Sequence, residues 1–347
     1  ADLLQPQAKE TAEPSEWFLD VSGPVEAGVG GRHWSIMALS PCPVTRTPAT
    51  WTLGPGTSRD TLVGMGADRS EPSPDARTVL TPLGEVRFVE SGPPDGDPVL
   101  ILHGSPGGYD VAAVMGRFLA RLGFRIVAPS RPGYPGTPLT EGTTTADDQA
   151  RLLVALLDEL EIDRAGVLTW SGGGPCGYRM AVNHPDRLTA LVAVAALSGS
   201  FDWQLSWSER LLTRTRPGAL LIRMLADLVP ERLIAATLAA EGDLTPEEVR
   251  VRTADVSADP ERRAMVLQAA RSAVDSKERA AGLTNDSHQF AVLGLLDLPR
   301  ITVPTLVVHG DADTDVDPEY SDRALAEITG SVGLTMPRGT HLCLWVD

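Results

Sequence analysis

Five short apolar runs dictate the architecture: "PVLILHG" at 98–104, "FRIVAPS" at 124–130, "AGVLTW" at 165–170, "LTALVAVAAL" at 188–197 and "ITVPTLVVHG" at 301–310. None has a polar face. A strand read this way is buried on both sides, as in a parallel sheet covered by helices. The stretches between the first four carry a helical period. In "TTTADDQARLLVALLDELEI", Thr145 is placed to cap, Asp148 occupies the capping-box position, and Leu153, Leu156, Leu157 and Leu160 share one face. Residues 110–122 and 173–183 read as helices too. Strand and helix alternating at this spacing predict an α/β fold, with a mostly parallel central sheet and helices on both faces. Ahead of it, "TVLTPLGEVRFVESG" predicts a hairpin around Pro82-Leu83-Gly84.

The alternation breaks at residues 199–285, rich in Leu, Ala, Arg and Glu at helical spacing and interrupted by Pro217, Pro230, Pro246 and Pro260. This predicts a helical cap inserted between two late strands. The core is then residues 78–198 and 286–347, closing with a helix at 318–329 and a strand at "SVGLTM". Residues 1–77 keep no period and scatter proline, glycine and small polar residues, a composition that orders poorly. They are expected to be a disordered extension, with Met65 an alternative start. The chain does not begin with Met, so it is expected to be processed, tagged or a fragment.

Hydrophobic residues make up 42% of the 347, enough for a substantial core, and the formal net charge is −16. That charge repels phosphate backbones and argues against a nucleic-acid partner. No apolar run reaches the ~18–20 residues of a membrane span. The three cysteines, Cys42, Cys176 and Cys343, are odd in number and far apart, forming neither a zinc motif nor a disulfide framework. Unpaired thiols fit a reducing, cytoplasmic compartment. Cys176 and Cys343 are read as packing residues. Oligomeric state is left open.

Chemistry enters at "VLTWSGGGP". Ser171 ends a predicted strand and precedes a helix, so a sharp turn there would project its hydroxyl beyond the sheet's carboxyl edge, where ligands of parallel sheets bind. Bulky neighbours would clash across that bend, which accounts for Gly172 and Gly173. A serine hydroxyl needs a base. Of His33, His103, His184, His288, His309 and His341, the last lies in a Gly-Thr-His turn after the final strand and is the chosen base. His103 and His309, each before a glycine at a strand end, are read as shaping their loops. The base needs an acid. Asp311, Asp313, Asp315 and Asp317 crowd one loop. Asp313 is the first choice and Asp315 the second. Calcium is disfavoured there, because the glycine and terminal glutamate of an EF-hand loop are missing, and no metal is expected. The amides of Gly172 and of Ser105, in "HGSPGGYD", are the expected oxyanion donors. Gly104 and Trp170 are the expected substrate contacts.

Together these segments resemble the α/β-hydrolase superfamily: "HGSPGG" its oxyanion loop, "WSGGG" its nucleophile elbow, "HGDADTDVDP" its acid loop, "GTH" its histidine loop. Within it the chain is most similar to the capped branch that includes prolyl iminopeptidases and related esterase-like hydrolases. The resemblance spans nearly all of residues 78–347. It implies a Ser171–His341–Asp313 triad and hydrolysis without a cofactor. The chain departs from the pattern twice. Thr169 stands where the elbow usually has glycine, and the chain stops six residues after His341, short of the usual closing helix. A truncated chain with apolar sheet surface left exposed is the expectation from the second.

The expected function is therefore a serine hydrolase cleaving a small-molecule ester or amide through an acyl-enzyme. An aminopeptidase would need cap carboxylates for a free amine; Glu241, Glu247 and Glu248 are available, and solvated helix charges explain them equally well. Asn285 and Asp286 are placed near the pocket, and Trp203 and Trp207 are read as packing between cap and sheet, with lining of an apolar pocket as the alternative. The alternative from another class is a non-catalytic small-molecule-binding protein on the same fold.

Overall fold

The computed structural model describes residues 76–202, 215–274 and 276–347. The expectations for residues 1–75 and for Trp203 and Trp207 lie outside the described residues. An eight-stranded sheet runs in the order β1-β2-β4-β3-β5-β6-β7-β8. Its strands are β1 (Arg77–Thr81), β2 (Gly84–Ser91), β3 (Pro98–Leu102), β4 (Arg125–Pro129), β5 (Ala165–Trp170), β6 (Leu188–Val194), β7 (Thr305–Gly310) and β8 (Val332–Met336). The hairpin forms as read: β1 pairs antiparallel with β2, and Gly84 takes a φ of +139° that disfavours a side chain. β2 meets β4 antiparallel, and every pairing from β4 through β8 is parallel.

The apolar runs bury both faces because successive strand residues point to opposite sides. Leu100, Leu102, Val127, Val167 and Val307 face one core. Ile101, Ile126, Leu168 and Val308 face the other. Helices α3 (Ala146–Glu159) and α4 (Gly174–Asn183) cover the first side. The Thr145–Asp148 capping box starts α3, with the Asp148 amide donating to Thr145 Oγ1 at 3.2 Å. On the second side lies α1 (Tyr109–Met115), followed at Gly116 by α2 (Arg117–Arg121), two pieces where one helix was expected. A side chain at Gly116 would come within 2.6 Å of Ile126 Cγ2, so glycine lets this segment sit tight on the sheet.

Between β6 and β7 the described chain forms α5 (Arg216–Leu228), α6 (Pro230–Ala240), α7 (Pro246–Ala258), α8 (Pro260–Val274) and α9 (Ser276–Ala291). The prolines that interrupt the sequence pattern are helix starters. Pro230, Pro246 and Pro260 open their helices and Pro217 is the second residue of α5, where a missing N–H is harmless. Helix α9 runs unbroken across residues 285 and 286, where the sequence reading ends the cap. Among the described residues the insertion forms no separate apolar cluster. Leu233, Ile234, Met265 and Val266 join the same apolar cluster as Ile101 and Val111. Helices α10 (Glu319–Glu327) and α11 (Cys343–Val346) complete the chain. Val332 and Leu334 on the edge strand β8 are exposed. Among the described residues no helix is long and apolar enough to cross a membrane.

From β3 the chain steps to β4 on one side, then crosses to β5 on the other. The carboxyl ends of β3 and β5 therefore flank a topological switch point, where a crevice opens in sheets of this kind.

Candidate active site

Ser171 stands at that crevice, directly after β5, with φ +53°. This left-handed conformation costs a residue with a Cβ on the order of 1–2 kcal/mol. It persists because the surroundings leave no room to relax. A side chain at Gly173 would lie 2.8 Å from the His103 carbonyl oxygen and 2.9 Å from that of Leu102. One at Gly104 would lie 3.0 Å from Ser171 Cβ, so the loop after β3 crosses the serine in van der Waals contact. Thr169 is accommodated on the same terms. Gly173 and Gly177 present bare backbone to it, where a Cβ would come within 2.9 Å of its Oγ1 and Cγ2 respectively. The bend survives a threonine at its first position, and the consequence is a buried hydroxyl, Thr169 Oγ1, without a hydrogen-bond partner among the described residues.

Gly172 and Ser105 are neighbours. A Cβ on Gly172 would run into Ser105 Oγ and lie 2.9 Å from Phe290 Cζ. As the second residue of the helical turn after β5, Gly172 has no acceptor within the helix for its N–H. The Ser105 N–H likewise meets no acceptor among the described residues.

His341 follows β8 and is buried. Its Nδ1 donates to Asp313 Oδ2 at 2.8 Å. The same oxygen lies 3.1 Å from His309 Nε2, while Asp313 Oδ1 accepts from the amides of Asp315 at 2.8 Å and Val316 at 3.0 Å. Burial alone would raise the Asp313 carboxyl, but His341 and the other donors outweigh it and hold it well below the usual carboxylate range. For His341 burial opposes the charged ring, yet the field of Asp313, with Asp315 and Glu241 behind it, pushes its pKa up to about 9.

The four loop aspartates go separate ways. Asp311 Oδ1 accepts from the Arg338 amide at 2.5 Å and Asp317 Oδ1 from that of Glu319 at 2.9 Å. Asp315 faces the cap. There Glu241, just past α6, Asp315 and His341 each bring one donor atom within 4.8 Å of the others, a set that could bracket a cation. Burial and the neighbouring Asp315 carboxyl push the Glu241 carboxyl well above its ordinary value. Glu247 and Glu248 instead pair with Arg250 and Arg338. Backbone bonds sew this end of α6 to the site: the His341 amide donates to the Glu241 carbonyl oxygen at 2.9 Å, and the Asp243 amide to that of Ala312 at 2.8 Å.

Trp170 links serine and histidine segments. Its indole N–H donates to the His341 carbonyl oxygen at 3.0 Å, and the two rings lie 5.2 Å apart. With this N–H bonded and 6% of the residue exposed, Trp170 braces the histidine loop. No hydrogen bond joins the Ser171 hydroxyl to the His341 ring among the described residues. Cys176 and Cys343 are buried and free, and burial pushes both thiols up to about 12. His184 is partly buried at the end of α4 and His288 is exposed.

Two residues acquire roles that the sequence reading did not give them. His309 grips Asp313 from behind, with its Nδ1 2.6 Å from Ser321 Oγ. Arg131, at the end of β4, lies beneath the loop after β3 with its Nη2 2.8 Å from Ser105 Oγ. The signals were present but weak: a histidine four residues before the acid, and an arginine at the sheet's carboxyl edge.

The sequence profile of a family described as alpha/beta hydrolase fold matches residues 97–346. An alpha/beta hydrolase fold protein from Nakamurella multipartita is 49% identical and superposes with a TM-score of 0.74, over 78% of this chain and 93% of that one. An uncharacterised hydrolase of Bacillus subtilis, YcgS, is 28% identical over 258 residues, 72% of this chain and 86% of that protein. A proline iminopeptidase of Arabidopsis thaliana is 32% identical over 126 residues, 35% of this chain and 32% of that protein.

Proposed function

The chain belongs to the alpha/beta hydrolase fold family, and from that premise we propose that it is a serine hydrolase acting on a small-molecule ester or amide. Ser171 Oγ attacks the carbonyl carbon while His341 Nε2 takes its proton. The tetrahedral oxyanion is held by the amides of Gly172 and Ser105. As the tetrahedral adduct collapses, His341 returns the proton to the departing alcohol or amine. Water, deprotonated by His341, then attacks the acyl-enzyme; the acid leaves as Ser171 Oγ takes the proton back from His341, restoring the free hydroxyl. Asp313 fixes the ring with Nδ1 protonated and stabilises the imidazolium. The Ser171–His341 hydrogen bond forms as substrate enters, as happens in many hydrolases whose free sites are looser.

The observation that carries this reading is the left-handed backbone of Ser171. Strain of this kind, maintained at a switch point beside a buried Asp–His pair, supports chemistry over passive binding. Ser171→Ala should abolish turnover of a p-nitrophenyl ester, by about 10⁴-fold or more. Activity within about tenfold of the native protein would defeat the proposal.

One feature favours substrates with a free amine. Glu241 and Asp315 lie together beside the base, where a substrate ammonium group would find two carboxyl partners. On this reading, aminoacyl naphthylamides are cleaved more efficiently than their N-acetylated forms. Equal rates would remove the amine preference and leave the hydrolase.

A further inference from the structure

One face of helix α9 (Ser276–Ala291) rests on the loop after β3 and on the bend at Ser171. Arg279, Gly282, Asp286 and Phe290 recur at three- and four-residue spacing and so share that face. Arg279 Nε donates to the Gly107 carbonyl oxygen at 2.9 Å, and its guanidinium pairs with Asp110. The Gly282 amide donates to the Gly133 carbonyl oxygen at 2.8 Å. Phe290 abuts Gly172.

Asp286 is the centre of the contact and is 2% exposed. Arg131 donates to both of its oxygens, Nη1 to Oδ1 at 3.0 Å and Nη2 to Oδ2 at 2.6 Å. The Tyr134 hydroxyl donates to Oδ2 at 2.6 Å and the Ser105 hydroxyl to the same oxygen at 2.5 Å. Ser105 Oγ also accepts from Arg131 Nη2 at 2.8 Å. Its donor and an acceptor position are both taken, so it does not turn to substrate. It is a fastening point for the backbone that carries the Ser105 amide. Arg131 holds the preceding residues as well: its Nε donates to the His103 carbonyl oxygen at 3.2 Å, and its backbone N–H to His103 Nε2 at 3.0 Å. A buried ion pair gives little net stability over apolar packing of similar volume. Stability alone does not explain four polar contacts converging on one carboxylate under this loop.

We propose that Asp286, acting through Arg131 and the Ser105 hydroxyl, is the positioning residue of the oxyanion hole, so that docking of the inserted helix α9 sets the spacing of the Ser105 and Gly172 amides. This rests on the hydrolase reading above. Oxyanion donors act on the tetrahedral state and little on bound substrate. Misplacing one therefore lowers kcat without raising KM.

The test compares Ser105→Ala, Asp286→Asn and Ser171→Ala with the native protein. It uses p-nitrophenyl butyrate turnover per folded molecule, inhibition by a trifluoromethyl ketone, and melting temperature. Ser105→Ala keeps the amide and the Arg131–Asp286 pair and removes only the fastening. It should lower kcat and kcat/KM together by about 10- to 100-fold and weaken the ketone by a similar factor, with KM unchanged. Asp286→Asn should do the same. If it fails to fold, Ser105→Ala decides. Variants that melt earlier yet turn over within about twofold of native per folded molecule, while Ser171→Ala is dead, would overturn the positioning role and leave the hydrolase standing. Hydrolysis surviving in Ser171→Ala would overturn both.

Discussion

Thr169 Oγ1 is enclosed by the glycines that make the bend at Ser171 possible, and no described residue bonds to it. A buried hydroxyl without a partner is destabilising by about 1–3 kcal/mol. Thr169→Val keeps the shape and removes the polar atom. It should raise the melting temperature by a few degrees, on the order of 2–4 °C per kcal/mol for a domain of this size, without altering turnover. A lower melting temperature would mean the hydroxyl is satisfied. Ionisation of His341 gives a second prediction at this scale. With its pKa near 9, the ring is mostly charged at neutral pH, and a general base must be neutral. In the free enzyme kcat/KM should therefore climb with pH through about 9. Removing the carboxylate field by Glu241→Gln should move that limb downward. A limb already flat above pH 7 in the native protein would contradict the assigned field. For stability the sign is opposite. The raised pKa stabilises the fold below the unfolded value of about 6.5 and is lost as pH rises through about 9. The lowered Asp313 carboxyl stabilises above about 3.9 and is lost as pH falls through its folded value.

Among elements, the sequence was most legible where one face or both had to be apolar. The runs at β3 to β7 and the capped helix α3 were readable because their partners did not need to be known. The bend at Ser171 was readable from chemistry, since few other reasons place a hydroxyl before three glycines. The site's supports were not readable. His309, Arg131, Asp286 and Glu241 hold their places through residues 4 to 181 positions away, and no local period reports that. Trp170's tie to the histidine loop was equally illegible. Beside the serine in sequence, it is turned to the histidine loop in space. The Glu241 segment makes its own prediction. Because its backbone holds both His341 and the acid loop, Gly242→Val should disable hydrolysis: a Cβ there would sit 2.6 Å from Thr340 Cγ2 and 3.0 Å from the Ala312 carbonyl oxygen. Native kcat in a folded Gly242→Val protein would show that the site does not depend on this seam.

At the scale of the whole molecule, residues 68–347 make one compact unit. The insertion shares its apolar cluster with α1 and the sheet, so cap and core should melt together. Calorimetry should show one transition for this unit, and a separate early transition assigned to α5–α9 would refute the shared core. The claim on which the function depends is covalent. An active-site serine reacts with a fluorophosphonate because the base and the oxyanion donors surround it, whereas an ordinary surface serine does not. Mass-spectrometric mapping after labelling should find one adduct, on Ser171, absent in Ser171→Ala and slowed severely in His341→Ala. A folded native protein that takes no label, or takes it elsewhere, would contradict the account.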